Sequence, residues 1–174
     1  MNKKYFKPLS MLDIEKIAAG IKLIVFDFDG VFTDNRVLVM QDGSEGVLCS
    51  RSDGLGLNML RDIGLKMLVI SKEVNPVVSV RCKKLGIPCI QGIDHKAIVL
   101  RREVKKIGID LEKTAYVGND INDLECLQIV GLPVCVADAY PEVKKISLHI
   151  TKARGGKGAV REFCDFVIKI KQKI

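Results

Sequence analysis

From residue 21 onward, short apolar runs of strand length alternate with segments of helical period, and this alternation narrows the fold more than any other feature of the chain. Ile21–Phe26 and residues 66–70, 88–90, 114–117, 134–136 and 148–150 have the length and apolar content of strands. Between them, helices are predicted over Gly54–Ile63, capped by Asp53, and from the Asn75-Pro76 start to about Gly86. Further helices follow over 95–107, closed by Gly108, over 122–130, from Pro141, and from Ala159 to the end. A strand that is apolar on both faces needs cover on both faces. Strand–helix alternation supplies that cover by winding helices around a parallel sheet, the α/β class. Such sheets bind ligands at the carboxyl ends of their strands.

Two segments precede or interrupt the alternation. Leu9–Gly20 reads as an amphipathic helix with Ser10 and Asp13 as a capping box. Residues 36–50 read as a β-hairpin, with Arg36–Met40 and 46–49 as its arms and a turn at Gln41-Asp42-Gly43-Ser44. The chain has no repeat, low-complexity linker or compositional break. Residues 1–174 are therefore expected to form a single domain, with 1–20 as a helical N-terminal extension and 36–50 as a flap.

Composition excludes several function classes. No run of eighteen apolar residues is present, so no membrane span is expected. The lysines of Met1–Pro8 precede no apolar core, which argues against a secretory signal and for a cytoplasmic protein. The six cysteines form no C-x-x-C pair and read as reduced, buried thiols, and two histidines are too few for a zinc site. The net charge of +7 raises nucleic-acid binding, but the chain has no Trp and its basic residues are interleaved with acids. Arg101, Arg102, Lys105 and Lys106 read as a solvated helix face, so no nucleic-acid partner is expected. A modest positive field also attracts a small, multiply anionic substrate.

The polar groups that follow the apolar strands carry the chemistry. Asp27-Phe28-Asp29-Gly30 places two carboxylates on one side of an extended segment, an arrangement that is costly unless something uses it. A magnesium ion would offset their repulsion. Ser71 follows 66–70, and alone it would read as a helix cap. Lys96 follows Gly92-Ile93-Asp94-His95, and alone it would read as solvated. Gly118-Asn119-Asp120-Ile121-Asn122-Asp123 is an acidic, amide-rich turn offering hard oxygen ligands.

This ordered set resembles the haloacid-dehalogenase superfamily, over about residues 21–168. The stretch Asp27-Phe28-Asp29-Gly30-Val31-Phe32-Thr33-Asp34 is close to the full family signature. The resemblance implies a Rossmann-like doubly wound parallel sheet and a magnesium-dependent phosphatase. It implies Asp27 as the nucleophile that forms an aspartyl-phosphate, and Asp29 as acid and then base. Ser71 would hydrogen-bond a phosphoryl oxygen, and Lys96 with Mg2+ would neutralise phosphoryl charge. The implied metal ligands are Asp27, Asp29, Asn119, Asp120 and Asp123. Many relatives carry Asp where this chain has Asn119, which implies weaker metal binding or a larger share for Asp120 and Asp123.

There is no room for a cap domain between Asp34 and Asp53 or between Ser71 and Lys96. Ala137-Asp138-Ala139-Tyr140-Pro141 and Arg154–Glu162 are similar to the uncapped 3-deoxy-D-manno-octulosonate 8-phosphate phosphatases. They equally resemble the N-acylneuraminate and ketodeoxynonulosonate 9-phosphate phosphatases, and the phosphatase-like domain of acylneuraminate cytidylyltransferases. The resemblance implies a homotetramer assembled through the hairpins and a small acidic sugar-phosphate substrate. The octulosonate enzymes carry Thr-Gly-Arg where this chain has Ser71-Lys72-Glu73, which leans the reading towards a nine-carbon sugar. Asn58, Glu73, Arg81 and Lys84 are the candidate substrate-binding residues, with Arg81 and Lys84 as carboxylate partners; alone, Glu73 would read as a solvated acid at a helix start. Two rival readings are an inactive tetramerisation module, which Asn119 favours, and a broad-specificity phosphatase.

Overall fold

The computed structural model describes residues 9–173. The expectations for Met1–Pro8 and for the last residue of the final helix lie outside them. The element order is α1 (Met11–Gly20), β1 (Leu23–Phe26), β2 (Leu38–Val39), β3 (Glu45–Gly46), α2 (Arg51–Asp62), β4 (Lys66–Ile70), α3 (Val77–Leu85) and β5 (Cys89–Ile90). It continues with α4 (Lys96–Ile107), β6 (Thr114–Gly118), α5 (Leu124–Ile129), β7 (Leu132–Cys135), α6 (Pro141–Ile146), β8 (His149–Ile150) and α7 (Ala159–Lys171). A 3₁₀ turn precedes β6 and another, Ile121–Asp123, precedes α5.

Six strands form one sheet in the order β5-β4-β1-β6-β7-β8, parallel throughout. This is the predicted doubly wound architecture. All four residues of β1 are fully buried, and they pair in register with Lys66–Val69 of β4 and Thr114–Val117 of β6. The chain runs from β1 outward through β4 to β5, then crosses back to β6 and runs the other way. The direction reverses between β1 and β6, where open α/β sheets place their ligands. Among the described residues, no helix is long and apolar enough to cross a membrane.

Local chemistry explains most element boundaries. The capping box of α1 forms as the sequence suggests: Asp13 N donates to Ser10 Oγ at 3.2 Å and Ser10 N to Asp13 Oδ2 at 3.1 Å. Gly86 and Gly108 close α3 and α4 in the left-handed conformation. Asn75 caps α3 through Val77 N, at 3.0 Å, with the first helical residue one position later than expected.

Asp53 is a correction. It does not cap its own helix, which begins at Arg51 behind Ser50, whose Oγ accepts from Ser52 N. Instead it is fully buried between α2 and α7, and its Oδ1 accepts from Arg161 N at 3.1 Å. Arg161 is the third residue of α7, whose own N-cap, Gly158, has no side chain to offer. The α2 carboxylate therefore caps the first turn of α7 from across the helix pair.

The hairpin is smaller than the 36–50 reading. Only Leu38–Val39 and Glu45–Gly46 pair, around a turn closed by Met40 N to Ser44 O at 2.9 Å, with a single bridge between Thr33 and Cys49 at its base. The cysteine expectation also needs adjusting: Cys82, Cys126, Cys135 and Cys164 are buried, but Cys49 and Cys89 are partly exposed.

Candidate active site

At the carboxyl end of the sheet, three adjacent strands each deliver a polar residue into one cleft of about 420 Å³. β1 delivers Asp27 and Asp29, β4 delivers Ser71, and β6 delivers Asn119 and Asp120. Lys96 enters from the first position of α4, which follows β5. Glu73, Lys72, Val74, Asn35 and Asn122 complete the walls.

The turn after β1 is built for close approach. Asp27 N continues the sheet by donating to Val117 O at 2.9 Å, and Thr33 Oγ accepts from Gly30 N at 3.1 Å. Gly30 has φ of 76°, and a Cβ there would collide with the Asn119 amide. Only glycine lets the Asn119 side chain lie against this turn.

The nucleophile candidate is heavily constrained. Asp27 Oδ1 accepts from Phe28 N at 2.7 Å and from the Lys96 ammonium at 2.8 Å. Its Oδ2 has no hydrogen bond among the described residues. Lys96, 2% exposed, also donates to Asp123 Oδ1 at 2.9 Å. Burial works against its charge, but Asp27 and Asp123 outweigh that and hold the ammonium above its usual pKa. Burial, with the Asp123 charge, pushes Asp27 up to about 8 against the opposing pull of Lys96. A second cation beside Asp27 would return it to the carboxylate form that a nucleophile requires. Asp29 is raised by burial and by the Glu73 charge, which suits a group that must give up a proton.

Asn119 supplies the observation that tests for a metal. It is 5% exposed, its Oδ1 is buried without a hydrogen-bond partner, and it borders the cleft beside Asp27. An orphaned amide oxygen next to two carboxylates is a donor set for a hard divalent cation. Such a cation takes few protein ligands and keeps several waters. Among the described residues, no three of His, Cys, Asp and Glu gather as a metal site by themselves.

Here the structure meets known proteins. A family model described as haloacid dehalogenase-like hydrolase matches residues 89–163. The 3-deoxy-D-manno-octulosonate 8-phosphate phosphatase KdsC of Escherichia coli K12 is 33% identical over 163 residues, 93% of this chain and 87% of that protein. The chain belongs to the haloacid dehalogenase-like hydrolases. It is a phosphoric monoester hydrolase. A crystal structure of 3-deoxy-D-manno-octulosonate 8-phosphate phosphatase from Moraxella catarrhalis, in complex with magnesium ion, phosphate ion and a KDO molecule, superposes with a TM-score of 0.91 at 34% identity, covering 94% of this chain and 95% of that one. A structure assigned to the HAD family of hydrolases, from Streptomyces avermitilis, is 47% identical with a TM-score of 0.84 and 86% coverage of both chains.

Within this hydrolase, the sequence-predicted residues divide into two groups. Asp27, Asp29, Ser71, Glu73, Lys96, Asn119 and Asp120 line the cleft. Asp123 does not: it is fully buried beneath the floor. Its Oδ1 accepts from Lys96 and from Tyr116 Oη at 2.8 Å, and its Oδ2 from Asn119 N at 2.9 Å and Asp120 N at 3.3 Å. With its acceptor positions taken, it positions Lys96 and the β6 turn and has no oxygen left for a metal.

Three expected substrate contacts are corrected. Asn58 is exposed on α2, where its Oδ1 accepts from Arg61 at 2.6 Å. Arg81 donates to Ser50 O at 2.9 Å, tying α3 to the start of α2. Lys84 is exposed on α3 outside the cleft. None of the three lines the cavity. Lys72 is the lysine at its mouth, 3.3 Å from Asp94. Tyr116 was not among the expected residues, although a tyrosine within an otherwise apolar strand signals a hydroxyl that must find a partner inside.

Proposed function

We propose that this hydrolase removes phosphate from an acidic 3-deoxy-2-ulosonate sugar phosphate, with 3-deoxy-D-manno-octulosonate 8-phosphate as the first substrate, through an aspartyl-phosphate on Asp27. The observation that carries this reading is the pairing of a buried Asp27–Lys96–Asp123 ladder with the unpartnered Asn119 oxygen, opposite a cleft mouth bearing Lys72 and Glu73. The relatives named for that substrate span nearly the same length.

Magnesium is the cofactor; when bound it supplies positive charge against the phosphoryl oxygens and the two carboxylates. Asp27, Asp29, Asn119 and Asp120 would hold it. Asp27 Oδ2 attacks phosphorus while Asp29 gives its proton to the departing sugar oxygen. Asp29 then takes a proton from the water that hydrolyses the acyl phosphate. Lys96 and the Ser71 hydroxyl steady the phosphoryl oxygens through both steps. Ser71 Oγ accepts from Glu73 N at 3.1 Å, which leaves its proton free to donate into the cleft.

A second reading, a nine-carbon 9-phosphate substrate, is favoured by Glu73. Its Oε1 accepts from Val74 N and Asn75 N, both at 2.7 Å, which fixes the carboxylate at the mouth and leaves Oε2 to accept from sugar hydroxyls.

The enzyme is further read as a cytoplasmic homotetramer in which the whole chain works as one unit. Six free thiols support a reducing compartment. The hairpin supports assembly: Val37, Leu38, Val39, Met40 and Leu48 are all more than half exposed, an apolar surface that a solitary chain would leave in water.

The test is inorganic phosphate release with magnesium, over eight- and nine-carbon ulosonate phosphates and neutral hexose phosphates. One acidic ulosonate should be turned over at least tenfold faster than the neutral sugars. Equal rates on every ester would point to a broad phosphatase, and no release from any to an inactive module; either would defeat the proposal.

A further inference from the structure

An acidic ulosonate phosphate carries its carboxylate at the far end of the carbon chain from its phosphate. With phosphorus against Asp27, that carboxylate has to come to rest at the cleft mouth. The walls there are unfavourable to it, because Asp29, Glu73 and Asp120 all border the cavity. A carboxylate brought among like charges without a cation is both desolvated and repelled. Among the described residues, two cationic side chains line the cleft, Lys96 and Lys72. Lys96 is 2% exposed and already committed to Asp27 at 2.8 Å and Asp123 at 2.9 Å. That leaves Lys72.

The backbone on both sides of Lys72 is fixed. Ser71 N donates to Ile90 O at 2.9 Å, Ile93 N to Ser71 O at 3.2 Å, and Gly92 N to Glu73 O at 3.0 Å. Lys72 therefore stands in a stretch stitched to residues 90–93, directly after the serine at the phosphoryl end of the cleft. Its side chain is held far less firmly. The ammonium lies 3.3 Å from Asp94 Oδ1, and the two side chains are 60% and 76% exposed. A solvated ion pair of this kind binds its partners weakly, so the lysine can change carboxylates at little cost.

We propose that Lys72 binds the carboxylate of the sugar acid, giving up Asp94 to do so. The inference rests on the acidic-ulosonate reading above. A sugar lying over the mouth screens the new pair from water, which strengthens it relative to the exposed pair with Asp94. Asp94 does not line the cavity and keeps the ammonium near the mouth while the cleft is empty. The contact is remote from phosphorus and is alike in the bound substrate and the transition state. It therefore acts on KM more than on kcat. A neutral hexose phosphate offers Lys72 no carboxylate, so this one side chain sets the preference for acids.

The test is a cycle between the side chain and the substrate group. Phosphate release with magnesium is measured for the faster-cleaved acidic ulosonate phosphate and for the same compound with its carboxylate converted to a primary amide. The parent should favour the acid by about tenfold in kcat/KM. Lys72→Met should bring that ratio to within about twofold of unity, through KM, with kcat on the acid nearly unchanged. Lys72→Arg should keep most of the preference. Asp94→Asn should raise kcat/KM for the acid by about two- to threefold, and for the amide by less. Lys66→Met removes the same charge from the opposite end of β4 and should leave the ratio unchanged. A preference kept in Lys72→Met, one lost equally in Lys66→Met, or a fall in kcat/KM for the acid in Asp94→Asn would overturn the proposal while leaving the acidic substrate in place. So would a parent that cleaves acid and amide alike. A parent that cleaves no acidic ulosonate phosphate would overturn the reading beneath the proposal as well.

Discussion

Tyr116 and Lys96 share one acceptor: the Tyr116 hydroxyl and the Lys96 ammonium both donate to Asp123 Oδ1, at 2.8 and 2.9 Å. The tyrosine touches nothing in the cleft, yet it helps hold the carboxylate that holds the lysine against Asp27. Tyr116→Phe should keep the fold and lower kcat by about three- to tenfold, the scale of one lost buried hydrogen bond at roughly 1 kcal/mol. Asp27→Asn, which removes the attacking group itself, should drop turnover to background while the protein still melts cooperatively. Turnover of Asp27→Asn near that of the parent would refute the mechanism.

Asn119→Asp adds a charge where the amide oxygen now stands without a partner. Isothermal titration should show magnesium bound several-fold more tightly. The metal-free variant should melt lower than the parent, because a third carboxylate joins Asp27 and Asp29 with nothing to neutralise it, and magnesium should then raise its melting temperature by more. Weaker magnesium binding by the folded variant would mean that Asn119 is not a ligand.

Glu73→Arg should raise the ratio of kcat/KM for the octulosonate 8-phosphate over nine-carbon 9-phosphates by about tenfold, or roughly 1.4 kcal/mol, by offering a charge-assisted contact to the sugar acid. The substitution also removes the bonds to Val74 N and Asn75 N. Glu73→Gln, which can keep them, separates loss of the loop from gain of the contact. An unchanged ratio in Glu73→Arg would place recognition elsewhere.

Asp53 predicts a pH effect far from the cleft. Burial pushes its pKa up to about 6 from 3.8, against the pull of Arg161 N and Arg81, and its Oδ2 is buried without a partner. The folded state therefore binds the proton more tightly than the unfolded chain does. Its stability contribution is fully present below pH 3.8 and is lost as pH rises through about 6. Asp53→Asn keeps an acceptor for Arg161 N and has no charge to bury. It should be more stable than the parent by roughly 1–3 kcal/mol at pH 7.5, with the advantage shrinking towards pH 4. Denaturant melts at both pH values measure this; a constant difference would remove Asp53 as the cause.

Leu38→Lys places a charge on the most apolar part of the hairpin, where Leu38 is 65% exposed. Sedimentation velocity at micromolar concentration should show the parent as a tetramer and the variant shifted to smaller species with reduced activity. A parent that sediments as a fully active monomer would end the assembly proposal.

Much of the site was legible because parallel sheets put chemistry at one edge. Asp27, Ser71 and Asn119 each follow an apolar run, and adjacency of β4, β1 and β6 brings those ends together. What the sequence could not show is which way a helix turns its side chains. Asn58 and Arg61 are three apart and meet on the outer side of α2, and Arg81 faces the start of α2 instead of the cleft. In the acidic turn, one-dimensional spacing offers Asp120 and Asp123 equally. The three-dimensional donors to Asp123 decide that it points down: Tyr116 beneath the floor, the Lys96 ammonium and the Asn119 and Asp120 amides. The capping of α7 by Asp53 joins residues 108 apart in sequence, beyond any local signal.

The catalytic turn also has a late-arriving support. Gly155 and Gly156 lie directly on the backbone of Gly30–Asp34: a Cβ on Gly155 would strike the Gly30 carbonyl, and Gly156 N donates to Val31 O at 3.1 Å. About two thirds of the chain separates these segments, so a ribosome finishes the nucleophile's turn long before it makes the backbone that braces it. β1 likewise waits for β6 to pair its second edge. The nascent chain thus carries its nucleophile's turn through most of its synthesis before the backbone that braces that turn has been made.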